Sequence, residues 1–217
     1  MENDVKEFLS ELLKQLKSID YIKPEDIPNI DLYMDQVTTF MDEQLAASKR
    51  YESDKILTKT MINNYAKNNL LPSPDKKKYS KEHVLTLLFI YYFKNILSIN
   101  DIRSILNPLT EKYFGNDDGF TMQDVYTEVF SLEAEESQKL LKDLGKKYKI
   151  AGETFEDFPD EDQKFLHTFS FICMLSFDVY IKKMLIERMI DNLNEEKEDS
   201  AHKNTHSRKE SKNTCSN

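Results

Sequence analysis

Glycine and proline are scarce in this chain, with 4 and 6 among 217 residues. A sheet-rich fold turns tightly every few residues and draws on both, so their scarcity beside abundant Leu, Lys, Glu, Ile and Asn points to helices. Cysteine is scarcer still: Cys173 falls in an apolar stretch and Cys215 near the end of a polar tail, which leaves no disulfide framework. The opening MENDVKEF is acidic and lacks the basic start of a signal peptide, so the expected location is cytoplasmic. No Gly-rich phosphate loop, G-x-S-x-G, H-E-x-x-H or nucleophile and base at recognisable spacing occurs. With 39 acidic residues, chance carboxylate pairs are unavoidable and carry no information, so a non-enzyme without a cofactor is expected. His202 and His206, with Cys215 nearby, lack the second closely spaced ligand pair of a zinc site. Asn116 to Gly119 lacks the alternating oxygens and distal glutamate of a calcium loop. No metal is expected.

A long uninterrupted apolar run is also missing. The richest stretch, Phe165 to Met189, contains His167, Asp178, Lys182 and Lys183, whereas a membrane span needs about 20 apolar residues free of internal charge. It reads as a helix buried in a bundle or pairing two copies, with no membrane partner.

What is present is a globular composition, 39% hydrophobic and 32% charged, long enough for one or two domains with a real core. The formal net charge of -9 would by itself repel a polyanion. Its distribution is uneven. Lys49 to Lys81 holds nine Lys or Arg against Glu52, Asp54 and Asp75, a local +6 that leaves -15 elsewhere. At a screening length of roughly 8 Å, a phosphate docked on that segment feels the local charge far more than the distant acids.

Periodicity divides the chain into helices. Val5, Phe8, Leu9, Leu12, Leu13 and Leu16 predict an amphipathic helix within residues 1–20. Tyr21 to Pro28 is a connector, and from Asp31 onward Leu32, Tyr33, Val37, Phe40, Met41 and Leu45 resume helical spacing. Thr58 caps a short helix whose buried side is Met61, Ile62 and Tyr65. Its other side carries Lys59, Thr60, Asn63, Asn64 and Lys67, types that donate to base edges or phosphate oxygens. Pro72 and Pro74 break the pattern, and Lys76, Lys77 and Lys78 follow in a turn that closes at Tyr79. Three adjacent ammonium groups repel one another and suit a site where phosphates compensate them. Ser80 starts a helix apolar on most sides, and Ser98 with Asp101 caps another that Pro108 is expected to close.

Beyond Pro108, Thr121 and Asp124 form a cap, Leu140, Leu141 and Leu144 predict a helix stopping near Gly145, and Asp160 with Gln163 opens the long apolar one. Residues 21–108 are thus the expected first domain and 109–193 a helical bundle or dimerisation region. From Asn194 the polar tail, 194–217, is expected to be disordered.

The order helix, basic turn, helix, short helix, with Leu70-Leu71-Pro72, the lysines ending in Tyr79-Ser80, and Leu97-Ser98-Ile99-Asn100-Asp101-Ile102, resembles the MerR-type winged helix-turn-helix. More closely, Leu57-Thr58-Lys59-Thr60-Met61-Ile62-Asn63-Asn64-Tyr65 followed by Lys77-Lys78-Tyr79-Ser80 resembles a bacterial family known only as a domain of unknown function. The resemblance implies an all-α chain that reads double-stranded DNA as a homodimer and regulates transcription. Thr58 to Asn68 would be the recognition helix, Lys76 to Lys78 a wing on the backbone, and Tyr65 and Tyr79 bridges between core and phosphate. Asn63 or Asn64 stands where such helices present arginine, so base preference does not transfer. Lysine in the wing gives point charges in place of bidentate forks. The alternative is a non-catalytic protein-interaction module on the same scaffold.

Overall fold

The computed structural model describes residues 22–116 and 119–213, and side chains over the same range except 133–135, 137, 138 and 198–213. The expected first helix, Asp117 and Asp118 of the expected turn, the side chains of His202 and His206, and Cys215 lie outside the described residues. The fold is all-helical with one minor two-stranded sheet.

A 3-10 turn at Pro24–Asp26 leads into strand β1 (Leu32–Tyr33), which runs directly into helix α1 (Met34–Gln44). Gln36 Oε1 accepts the Tyr33 N–H at 2.8 Å, satisfying a donor that the first turn leaves free. After a second 3-10 turn at Ala46–Ser48 comes α2 (Lys59–Lys67), started by Thr58, whose Oγ1 accepts the Met61 N–H at 3.2 Å. It stops well short of the prolines. Asn69 takes φ 55°, Leu70 N–H reaches Tyr65 O at 2.9 Å, and Asn69 N–H reaches Ala66 O at 3.2 Å. That is a Schellman ending, with buried Leu70 and Tyr65 as its apolar pair.

Strand β2 (Lys78–Tyr79) pairs antiparallel with β1, Leu32 opposite Tyr79 and Tyr33 opposite Lys78. The pairing turns Leu32 and Tyr79 inward and leaves Tyr33 and Lys78 outside. Helix α3 (Lys81–Phe93) follows, with every residue from His83 to Tyr91 buried. It is the central strut, packed against β2, α4 (Ile99–Tyr113) and α5 (Met122–Ser131).

Pro108 lies inside α4 and does not end it. A proline removes the N–H that would bond the carbonyl four residues back, here Ser104. Lys197 Nζ, from the last helix, donates to Ser104 O at 2.9 Å and fills the gap. The expected domain boundary at residue 108 therefore falls mid-helix. The core is continuous past it: Met122 and Tyr126 of α5 are fully buried with Ile22 to Leu106, and the Tyr126 hydroxyl donates to Ile22 O at 2.9 Å.

Helices α6 (Glu133–Gly152) and α7 (Asp160–Asn213) form an antiparallel hairpin, and α7 also lies on α4. The expected stop near Gly145 is not observed. Beyond it α6 is held against α7 by Ala151, by Tyr148 edge-on to Phe171 at 5.2 Å, and by Lys147, which bridges Asp143 and Asp178. Such packing offsets the roughly 1 kcal/mol that a mid-helix glycine costs. Helix α7 runs to Asn213, through the region expected to be disordered from Asn194. Among the described residues no helix is long and apolar enough to cross a membrane.

Candidate nucleic-acid interface

Helix α2 buries Ile62 and Tyr65 against α1 and the core because apolar residues recur there at helical spacing. Lys59, Thr60, Asn63, Asn64 and Lys67 are exposed on its other side. Thr58, half-buried, commits its oxygen to the cap. Tyr65 and Tyr79, which the resemblance casts as bridges to phosphate, are 7% and 3% exposed. Burial pushes both phenols above their usual pKa. Both side chains act on the core side and present almost no open surface.

The lysine run forms a two-residue turn. Lys78 N–H donates to Asp75 O at 2.7 Å, and Lys76 and Lys77 between them take φ 46° and 66°. Two consecutive left-handed residues make a type I′ turn, whose usual occupants are Asn and Gly. A side chain with a Cβ costs roughly 1–2 kcal/mol in that conformation. The turn is held there by the β1 pairing on one side and by buried Tyr79 on the other.

The turn and α2 meet at β1, through residues that sequence reasoning did not single out for the site. Asp35, in the first turn of α1, pairs with Lys59 of α2, and two residues earlier the Tyr33 ring has the Lys78 ammonium 5.7 Å from its centre. Lys59 and Lys78 therefore flank the short segment from Tyr33 to Asp35. A two-residue strand is too short for alternation to announce it.

Internal partners remove part of the local charge. Lys49 bonds Asp42 at 2.7 Å and holds that carboxyl below its usual range, and Lys59 is paired as described. Lys67, Lys76 and Lys77 are exposed and have no ion-pair partner among the described residues. The turn lysines and Lys67 at the far end of α2 are thus open to an anion, as are exposed Arg50 and Lys55 earlier in the same segment.

His83 underlies the turn. Its Nδ1 accepts the Ser80 N–H at 3.0 Å, and its ring meets Tyr79 and Phe114 edge-on, with centres 5.5 and 4.7 Å away. Nε2 is buried without a hydrogen-bond partner among the described residues, close to the Pro72 and Ser73 carbonyls. Burial depresses the imidazole pKa, against a smaller opposing pull from those carbonyls and from Asp31. The sequence pattern gave no sign of this burial: Ser80 and Tyr79 are local partners, but Phe114 and the Pro72 and Ser73 carbonyls reach the ring only in the folded chain. Among the described residues no cluster of three His, Cys, Asp or Glu could hold a metal ion.

Residues 22–129 match a family described as a domain of unknown function, DUF1836, and this stretch of the chain belongs to that family. The matched span nearly coincides with the continuous core from Ile22 to Tyr126, so the family unit includes α5. No curated protein and no solved structure matches the chain.

Proposed function

We propose that this protein is a non-catalytic transcription regulator that binds duplex DNA through a MerR-like winged helix-turn-helix. Residues Lys59 to Lys67 would enter a major groove, and the turn Lys76 to Lys78 would contact flanking phosphates. Two such units acting as a homodimer would read a two-fold operator. The observation that carries this reading is the strained lysine turn. A conformation suited to Asn-Gly is occupied by two exposed lysines, and persistent backbone strain of this kind concentrates at functional sites. The order strand, helix, helix, strand, helix, helix, with β1 joining the turn to the first helix, supports the same reading.

Selection from a random duplex pool should enrich a two-fold motif, with affinity falling steeply as salt rises, at a slope near -0.9 per phosphate neutralised. Replacing Lys76, Lys77 and Lys78 by Glu should weaken binding by roughly 100-fold or more while circular dichroism keeps its helical signal. If the triple variant binds DNA as well as the parent does, the wing assignment fails. If no sequence is enriched and an acidic protein surface binds instead, the scaffold serves protein interaction.

A further inference from the structure

Helix α7 leaves much of its apolar surface uncovered. Phe165, Phe169, Ile172, Phe177, Val179 and Tyr180 are between 51% and 70% exposed. At about 100° per residue these six lie within one half of the helix circumference. The α6 hairpin covers the other half, where Phe171 is buried and Asp178 meets Lys147. Taking ~200 Å² for a large apolar side chain, the bare face amounts to about 700 Å². That exceeds the patch of roughly 300–600 Å² usual on a monomer, and approaches the ~800 Å² each partner contributes to a stable interface.

We infer that a second copy of this chain covers this face of α7, making it the seam of a homodimer. Charge selects the occupant. From Phe165 to Ile181 the helix contains one carboxylate, Asp178, and no Lys or Arg. Asp178 is turned to α6, away from the bare face, and pairs there with Lys147, which also holds Asp143 at 2.5 Å. A two-fold seam sets each patch against itself, so it must carry no net charge of its own. The face meets that condition and presents no charge with which to select an acidic or basic partner. Beyond Ile181 the exposed apolar residues alternate with Lys182, Arg188 and Asp191, as on an interface rim.

The pairing stands apart from DNA binding, and only its consequence, a fixed spacing between two half-sites, rests on the proposed DNA-binding role. The test uses the full chain without DNA, with Cys215→Ser so that exposed Cys173, on the same side of α7, is the one thiol. Light scattering should give the mass of two chains, and Cys173 should react slowly with a thiol reagent. Phe169→Glu with Ile172→Glu should halve the mass and speed the reaction at unchanged helical content. Phe165→Gln with Tyr180→Gln supplies a milder variant if the first does not fold. A parent with the mass of one chain overturns the inference, as does a dimer that survives both variants. One-chain mass with a shielded Cys173 would assign the face to the chain's own segment Val5 to Leu16, and the pairing would fall. The wing triple should stay dimeric and the seam variants should still bind a half-site, so either reading can fail alone.

Discussion

His83 couples ionisation to the base of the lysine turn. In the folded chain Nδ1 must be unprotonated to accept the Ser80 N–H, and burial holds the ring neutral, below its usual pKa of 6.5. The unfolded chain therefore takes up a proton first as pH falls. The stabilisation is fully present above about pH 6.5 and declines as pH drops through 6.5 toward the depressed folded value. Urea denaturation on both sides of that pH should show the loss, and His83→Gln, which retains an acceptor but does not titrate, should flatten it. Local features were readable at this scale. Thr58, Ser98 with Asp101, and Thr121 with Asp124 all cap the helices expected of them, because a cap is made by residues three apart. His83 was not readable, since Phe114 and Pro72 reach it only after the chain folds.

At the scale of elements, α2 began at the expected residue but ended for a different reason. The Schellman turn at Asn69 stops it before Pro72 acts, and a sequence with two prolines nearby hides the earlier signal. The basic turn was legible as charge but not as geometry. Its left-handed lysines follow from β1 pairing with β2 across more than forty residues. Lys76→Asn with Lys77→Gly should relieve the strain and stabilise the fold by about 1–2 kcal/mol, and on the proposed DNA-binding role it should also weaken duplex binding, since both proposed phosphate contacts would be lost. Thermal unfolding and duplex titration on the same variant would check both; a variant no more stable than the parent would mean that the turn is unstrained. Pro108 and Gly145 are the converse cases. Both carry a helix-breaking signal, and both are overridden by α7, through Lys197 on Ser104 O and through the packing around Phe171.

Across the whole molecule, one core joins Ile22 to Tyr126, and Ile190 of α7 is buried with it. The Tyr126 hydroxyl on Ile22 O closes that unit at both ends. Tyr126→Phe leaves a buried carbonyl without this donor and should cost about 1–3 kcal/mol, measured by denaturation, with the ring packing on Phe89 retained. A change near zero would mean that water or another donor replaces the hydroxyl. The amino-acid order alone determined the helical class, the starts of α2 and α3, and the clustering of cations between Lys49 and Lys81, because propensity, capping and charge act over a few residues; Leu32 and Tyr33, expected to open α1, are strand β1 instead. Tertiary structure decided that α5 belongs to the first core, that Pro108 lies inside a helix, that Tyr65 and Tyr79 face inward, and that α7 is bare on one side. Each of these depends on which distant surface comes to rest against a residue, and local spacing holds no record of that.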